Sequence, residues 1–130
     1  NSRVKSVNVE KLNSKESKYS REDNVSILMK YEDGSIASID YIATGSKRLE
    51  KEFCEVHFDG KSIVLDDYKS LKGYGIRVKE FNYKNSKKGQ YEEMIALYEC
   101  LTSLEKEFPI PLQSIFETTQ LTLDVANHKK

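Results

Sequence analysis

Two neighbouring aspartates, Asp66 and Asp67, are the first candidates for chemistry in this sequence, because paired carboxylates can act as a general acid and a general base. Successive residues of a strand point to opposite faces of a sheet, so the two carboxylates can converge on one substrate atom only if the strand has already ended. We expect the strand to end at this pair. The aspartates are therefore predicted to form a turn and not a catalytic centre.

The histidines and cysteines do not form a recognisable centre either. His57 alternates with apolar neighbours along a predicted strand, so its side chain is expected to point to solvent or to a partner subunit. His128 belongs to the polar carboxyl-terminal tail. Cys54 and Cys100 have no CxxC spacing and no clustered histidines. We therefore expect no metal site, no nucleophile paired with a base, and two reduced thiols in a cytoplasmic protein.

The glycines supply no recognisable cradle for a nucleotide phosphate. No GxGxxG or GxxxxGK[ST] motif follows a predicted strand. The pair Gly73 and Gly75 lacks a third glycine and a following helix, and we expect it to form a flexible loop before a strand. No cofactor is therefore expected to bind to this chain by itself.

A basic run extends from Lys69 to Lys88 with Glu80 as its one acidic residue. Such a run can be the solvated edge of a sheet, a contact with a substrate or partner, or a surface for single-stranded nucleic acid. The whole chain has 21 basic and 21 acidic residues, which removes the overall positive field that favours nucleic acid. The solvated edge is favoured, and no nucleic-acid partner is expected. The seven basic residues are Lys69, Lys72, Arg77, Lys79, Lys84, Lys87 and Lys88.

The pattern of apolar residues predicts strands first and helices second. Alternation of apolar and polar residues indicates about six strands, near residues 4–9, 25–31, 36–44, 51–58, 62–65 and 76–83. Asp33-Gly34 and Asp59-Gly60 are typical of tight hairpin turns. Residues 13–24 have no apolar periodicity and are expected to form a mobile loop. Strands joined by short turns predict an antiparallel sheet.

Helical spacing begins after Gly89. An apolar stripe follows the helical period, with Glu92 and Glu93 in the first turn, where the helix dipole favours carboxylates. Pro111 is expected to open a second helix that reaches about Ala126. The predicted fold is a single α+β domain over residues 1–130, with an open, mainly antiparallel sheet of about six strands and two helices packed on one face. The apolar stripe of the first helix consists of Met94, Leu97, Tyr98, Leu101 and Leu104.

No apolar run approaches the roughly 20 residues of a membrane span, so no membrane partner is expected.

Several segments, in order, resemble the carboxyl-terminal domain of the glucose-fructose oxidoreductase, inositol dehydrogenase and MocA (Gfo/Idh/MocA) family. They are YEDGS through TGSK to KE at 31–52, LEKEFCEVHFDGKSIVLDDYKSL at 49–71, KKGQYEEM at 87–94 and FPIPLQSIFETTQLTLDV at 108–125. The resemblance implies an NAD(P)-dependent sugar or polyol oxidoreductase with a Rossmann domain in front. The family's Gly-rich loop, catalytic lysine and Asp/His helix belong to segments that this sequence does not contain.

The resemblance therefore implies that this chain is the substrate-side and oligomerisation domain of a longer enzyme, inactive by itself. Its expected partners are its own Rossmann domain, a sugar-like molecule and a second copy that pairs through the sheet, while NAD or NADP would serve the parent enzyme. The alternative is a non-enzymatic interaction module that binds a protein or nucleic acid through its sheet face or basic edge.

Three residues are the candidates for substrate binding. Lys88 and Gly89 deliver a cation and a flexible backbone to a helix amino terminus, a place suited to hydroxyl-rich or anionic ligands. Tyr41 on the central hairpin could stack on a sugar, although a packing role is the simpler expectation. Lys51 and Glu52 could contact substrate, but an interfacial ion pair is favoured for them. His57 completes the expected interface residues.

Overall fold

The computed structural model of this chain describes residues 2–12, 19–103 and 107–128. The described residues divide between two compact units, Asn1–Gly45 with Ile110–Lys130, and Ser46–Pro109. Residues 13–18 of the predicted loop, and Leu104 of the predicted helical stripe, lie outside the described residues. In chain order the elements are β1 (Val4–Lys11), β2 (Asn24–Tyr31), β3 (Ile36–Ile42), β4 (Phe53–Phe58), β5 (Lys61–Asp66), β6 (Ser70–Tyr74), β7 (Phe81–Asn82), α1 (Gln90–Thr102) and α2 (Leu112–Ala126).

The first unit is built on the antiparallel sheet β1-β2-β3. Val25 and Met29 lie at alternate positions of β2, and Val9 pairs across to this strand from β1. These three side chains are buried and form the core of the unit. Alternation puts Val25 and Met29, the buried apolar residues of β2, on one face of the sheet, as the apolar spacing predicts.

The turn between β2 and β3 confirms the hairpin predicted at Asp33-Gly34. Gly34 has a φ of 89°, which glycine adopts without steric cost. The carboxylate of Asp33 accepts hydrogen bonds from the backbone N–H of Ser35 at 2.9 Å and from its hydroxyl at 2.6 Å. Because both bonds favour the charged carboxylate, they hold the pKa of Asp33 below its ordinary value.

Helix α2 belongs to the first unit and is tied to β1 by one lysine. The ammonium of Lys11 donates a hydrogen bond to the carbonyl of Ala126 at 3.0 Å and pairs with Glu22 at 2.5 Å. The Lys11 side chain is only 4% exposed. Carbonyls in the last turn of a helix carry partial negative charge, so an ammonium at this place stabilises the helix.

The second unit is built on the antiparallel sheet β4-β5-β6-β7. Asp59 and Gly60, with φ values of 47° and 70°, form the predicted two-residue turn between β4 and β5. Strand β5 ends at Asp66, and a second turn follows at once at Asp67 and Tyr68. The expected end of the strand at the aspartate pair is confirmed.

The strand expected at 76–83 is wrong in its position. The sixth strand is β6, which lies before the predicted range and contains Gly73, and only the short β7 falls inside that range. A Cβ on Gly73 would stand 2.7 Å from the carbonyl oxygen of Ile76 and 2.9 Å from a methyl of Val78. The chain therefore folds back over Gly73, and this glycine is a packed strand residue and not part of a flexible loop.

The fold class predicted from sequence is confirmed. The described residues form two helices and seven strands in open antiparallel sheets, an α+β architecture. The strands are divided between a sheet of three and a sheet of four, where the sequence suggested one sheet of about six. Both helices lie wholly within the described residues, and neither has a buried residue. The apolar stripe of α1 is exposed at Met94, Tyr98 and Leu101.

Candidate functional site

Five charged side chains of the second unit meet beside the turn between β5 and β6, and we call them the charged cluster. Two of their ion pairs join residues that are distant in sequence. The ammonium of Lys69 lies 3.0 Å from the carboxylate of Asp67 and also pairs with Glu50. The ammonium of Lys88 donates to the carboxylate of Glu52 at 2.8 Å. The cluster comprises Glu50, Glu52, Asp67, Lys69 and Lys88.

Backbone hydrogen bonds bring the three segments of the charged cluster together. The N–H of Asp67 donates to the carbonyl of Glu52 at 2.6 Å, which continues the β4–β5 ladder by one residue pair. The N–H of Lys87 donates to the carbonyl of Tyr68 at 3.1 Å. The segment before β4, the turn after β5 and the loop before α1 are therefore fixed to one another by main-chain atoms and not by long side chains alone.

The turn that carries Asp67 is conformationally demanding. Asp67 and Tyr68 have φ values of 44° and 53°, the left-handed region that side chains other than glycine rarely adopt. For tyrosine this conformation costs about 1–2 kcal/mol. The N–H of Lys69 closes the turn on the carbonyl of Asp66 at 2.8 Å. As a result Asp67 is buried, and the Tyr68 ring lies 5.7 Å from the ammonium of Lys88.

The charges of the cluster stabilise one another in their ionised forms. The hydrogen bond from Lys69 is the largest influence on Asp67 and holds the pKa of its carboxyl below the ordinary value. Hydrogen bonds to Glu50 and then Asp67 raise the pKa of Lys69, and the hydrogen bond to Glu52 raises the pKa of Lys88. A general acid or base works best with a pKa near the working pH. These three groups instead act as fixed charges that can donate or accept hydrogen bonds.

The structure brings two of the three predicted substrate-binding residues into this site. Lys88 is a member of the charged cluster, and Gly89 follows it as the residue that caps α1, with a φ of 79°. Tyr41 lies in the other unit, on the outer strand β3, where it pairs with Val25 and is 60% exposed. Tyr41 is therefore exposed on an edge strand of the first unit and is not a buried packing residue.

Of the residues expected at an interface, Lys51 and His57 are exposed and Glu52 is half-buried. Glu52 pairs with Lys88, where the sequence suggested a pair with Lys51. His57 is on β4, and its Nδ1 shares a hydrogen bond with the hydroxyl of Ser62 at 2.8 Å. The other ring nitrogen of His57 lies 3.7 Å from the carboxylate of Glu55. These contacts fix the orientation of the imidazole on the surface of the sheet.

The sequence pattern identifies Lys88 but not most of the charged cluster. The pattern gave Glu50 and Tyr68 no role, placed Lys69 only in the basic run, and assigned Asp67 only to a turn. Lys69 and Glu50 are 19 positions apart, and Lys88 and Glu52 are 36 apart, so no local spacing links them. The one local signal was the run Asp-Asp-Tyr-Lys at a strand end, which places a carboxylate and an ammonium two residues apart on a tight turn.

The rest of the basic run is partly bound to aromatic rings. The ammonium of Lys87 lies 4.3 Å from the centre of the Tyr83 ring, a cation–π distance. Tyr83 in turn stacks on Phe81 with 4.9 Å between ring centres. This part of the run is therefore organised by contacts inside the second unit.

The glycine pair does not fit a nucleotide phosphate. Gly73 is covered by Val78, and a Cβ on Gly75 would stand 3.1 Å from the carbonyl of Gly60. A phosphate cradle needs backbone N–H groups open to the ligand, whereas these two glycines are packed against the chain itself.

Within the described ranges there is also no group of three histidine, cysteine or acidic side chains placed to hold a metal ion. Cys54 is exposed and Cys100 half-buried, and no disulfide joins these two described residues.

None of the helices in the described part of the chain has the length and apolar character needed to cross a membrane. Comparisons with models of protein families, with curated proteins and with solved structures found no match to this chain.

Proposed function

We propose that this chain is the substrate-side and oligomerisation domain of a cytoplasmic NAD(P)-dependent oxidoreductase that acts on a sugar or polyol. The proposal combines the resemblance of its ordered segments to the Gfo/Idh/MocA family with the chemistry of the charged cluster. In this proposal NAD or NADP binds to a Rossmann domain of the same protein, because the glycine pair Gly73 and Gly75 is packed against the chain itself.

The observation that carries the proposal is the pair Lys88–Glu52 beside Tyr68 at the start of α1. An ammonium donates hydrogen bonds and a carboxylate accepts them, so the pair offers both kinds of partner to a hydroxyl group. Lys88 is 39% and Glu52 45% exposed at the side chain, so both remain accessible to a ligand. The neighbouring aromatic ring provides an apolar surface for the C–H face of a sugar.

The charged cluster also indicates which steps this domain and the Rossmann domain would each perform. Because Asp67, Lys69 and Lys88 are held in their charged forms, this half of the enzyme would bind and orient the hydroxyl groups. Proton abstraction and hydride transfer would belong to the other domain. This domain would thus contribute to catalysis by holding the substrate in the orientation that the reaction needs.

The proposal also includes self-association. Most large apolar side chains of β3, β4, α1 and α2 are exposed, among them Ile39, Phe53, Tyr98 and Phe116. Large exposed apolar patches on a protein usually mark contacts with another protein surface. These surfaces would be covered in the complete enzyme by the Rossmann domain or by another copy of the chain.

A direct test reads the gene upstream of the codon for Asn1. The proposal expects an open reading frame that encodes a βαβ unit with a Gly-rich turn. The protein from that frame should oxidise a sugar or polyol with NAD or NADP. An upstream sequence without such a unit, or a full-length protein that binds no dinucleotide, would contradict the proposal.

The role of Lys88 can be tested in the same full-length enzyme. Lys88→Ala should raise the KM for the sugar or lower kcat at least tenfold, with little change in the dissociation constant of NADH. Lys84→Ala is the matched control, because Lys84 is an exposed lysine of the same basic run. If both variants kept the sugar kinetics of the wild type, Lys88 would be assigned to the solvated edge of the sheet and not to substrate binding.

A further inference from the structure

Strand β4 is the outer strand of the four-stranded sheet, and all six of its residues are exposed. Phe53 is 65% and Val56 49% exposed, and the strand contains neither proline nor lysine. Exposed apolar edge strands are templates for pairing with another chain, and proteins usually protect them with charges, prolines or short length. The opposite edge, β7, has that protection because it is only two residues long.

Hydrogen bonding within the sheet determines which backbone groups of β4 face outward. In an antiparallel pair, alternate residues exchange hydrogen bonds with the neighbouring strand. Asp67 donates to Glu52, and Glu52 is in phase with the even-numbered residues of β4, which therefore bond to β5. The N–H and C=O groups of Phe53, Glu55 and His57 consequently point away from the sheet, toward the open edge.

The side chains of Glu55 and His57 are organised at the same edge. They lie on one face of β4, with the His57 ring held between the Ser62 hydroxyl at 2.8 Å and the Glu55 carboxylate at 3.7 Å. Directly opposite residues of two antiparallel strands interact, and opposite charges stabilise while like charges destabilise the pair. Registers that place two Glu55 carboxylates, or Glu55 and another carboxylate, opposite each other are therefore disfavoured for pairing with an identical strand.

Two copies of β4 can form backbone hydrogen bonds only in symmetric registers that place their outward-pointing residues opposite each other. These residues are Phe53, Glu55 and His57. A twofold axis at Glu55 would place Glu55 opposite Glu55 of a second copy. A twofold axis at His57 would place Glu55 opposite Asp59 of that copy. An axis at Val56 instead places Glu55 opposite His57 on both sides of the axis. The last register is the one that pairs an acid with an imidazole and avoids facing carboxylates.

We propose that β4 pairs antiparallel with β4 of a second copy of this chain about a twofold axis at Val56. Glu55 and His57 exchange backbone hydrogen bonds with their counterparts, and the two four-stranded sheets become one continuous sheet. On the other face, Val56 lies opposite Val56, and Cys54 lies opposite Phe58. The inference rests on the oligomerisation part of the proposed function and specifies its surface and register.

A cysteine at the twofold axis tests this register. At the axis the two Val56 residues form a pair without mutual backbone hydrogen bonds, with Cα atoms about 4.5 Å apart, which is within disulfide range. In a Cys54→Ala/Cys100→Ala background, Val56→Cys should therefore form a covalent dimer under mild oxidation, read on a non-reducing gel. The matched control is Ile63→Cys in the same background. Ile63 pairs with Val56 inside the sheet and lies about 4.8 Å further from the axis, so it should not cross-link.

A charge exchange tests the same register without a cross-link. His57→Glu would place carboxylates opposite one another twice and should raise the dimer dissociation constant about tenfold, as measured by sedimentation equilibrium. The double variant Glu55→Lys/His57→Glu restores opposite charges and should recover the wild-type dissociation constant. Far-ultraviolet circular dichroism of each variant establishes that the fold is retained.

The outcomes separate this inference from the proposed function. A Val56 cross-link together with rescue by the double variant would support the paired edge. A wild-type dimer in light scattering without the Val56 cross-link would overturn the paired edge and leave oligomerisation intact. A strictly monomeric wild-type mass at about 100 μM, far above the micromolar range of a binding energy of about 8 kcal/mol, would overturn both. Sugar kinetics of Lys88→Ala remain an independent test of substrate binding.

Discussion

Gly73 gives the sharpest test of how the second unit is packed. A Cβ at this position would stand 2.7 Å from the Ile76 carbonyl oxygen, and 2.9 and 3.3 Å from the two methyls of Val78. Overpacking of this kind costs about 1–3 kcal/mol. Alanine in place of glycine also restricts the unfolded chain, which stabilises by about 0.4–1 kcal/mol. The free energy of unfolding of Gly73→Ala should therefore fall by about 0.5–2 kcal/mol.

The matched control is Gly45→Ala. Gly45 does not have a left-handed φ, and a Cβ there would make one ordinary contact, 3.8 Å from the Ile42 carbonyl oxygen. Only the unfolded-chain effect remains, so this variant should be neutral or more stable by up to about 1 kcal/mol. The two substitutions are chemically identical, yet only Gly73→Ala should destabilise the protein.

The assay is urea denaturation followed by far-ultraviolet circular dichroism, with amide hydrogen exchange of β5 and β6 as the local readout. Val78→Ala in the Gly73→Ala background removes the methyl contacts but not the contact with the Ile76 carbonyl. The double variant should therefore recover part of the loss, seen as a favourable coupling energy in a double-mutant cycle. Equal stability of Gly73→Ala and Gly45→Ala would refute the close approach of the chain over β6.

Further predictions concern the charges and the cofactor. The lowered pKa of Asp67 means that its pairing with Lys69 stabilises at neutral pH and is lost as pH falls through a folded value below 3.8. Lys69→Gln should therefore be less stable than wild type at pH 7, and the difference in urea midpoint should vanish in strong acid. Lys11→Met removes a buried ammonium from the Ala126 carbonyl and should cost about 1–3 kcal/mol, with faster amide exchange in the last turn of α2. Asp33→Ala should speed amide exchange of Ser35, whereas exchange unchanged from wild type would exclude a role of the carboxylate in the turn. Calorimetry of the present chain with NADH should detect no micromolar binding, because Gly73 and Gly75 are packed against the chain and no Gly-rich phosphate motif follows a strand.

Local patterns predicted most of the secondary structure. The turns at Asp33-Gly34 and Asp59-Gly60 were predicted because the residue types themselves favour positive φ. The helix bounds followed from Gly89 and Pro111, which flank α1 and α2 at their amino ends. The α+β class followed from the order of these elements. Each of these features depends on residues within a few positions of one another.

Nonlocal pairing decided what the pattern could not. The division of the strands into two sheets depends on which edges meet, and the alternation in β3 and β4 is the same in either arrangement. The position of β6 depended on a close approach over Gly73, a contact that periodicity does not encode. A glycine pair has the same local signature in a flexible loop and in a crowded strand.

The candidate site shows the same boundary between sequence and tertiary structure. The sequence by itself determined that a cation and a glycine precede a helix, which identified Lys88 and Gly89. Only the tertiary structure decided that Lys88 forms an ion pair with Glu52. It also decided that Lys69 forms ion pairs with both Glu50 and the buried Asp67. The physical reason is that ion pairs form between side chains that the β4–β5 register and the β5–β6 turn bring together. Coulombic attraction depends on distance in space, and these partners are separated by up to 36 positions in the chain.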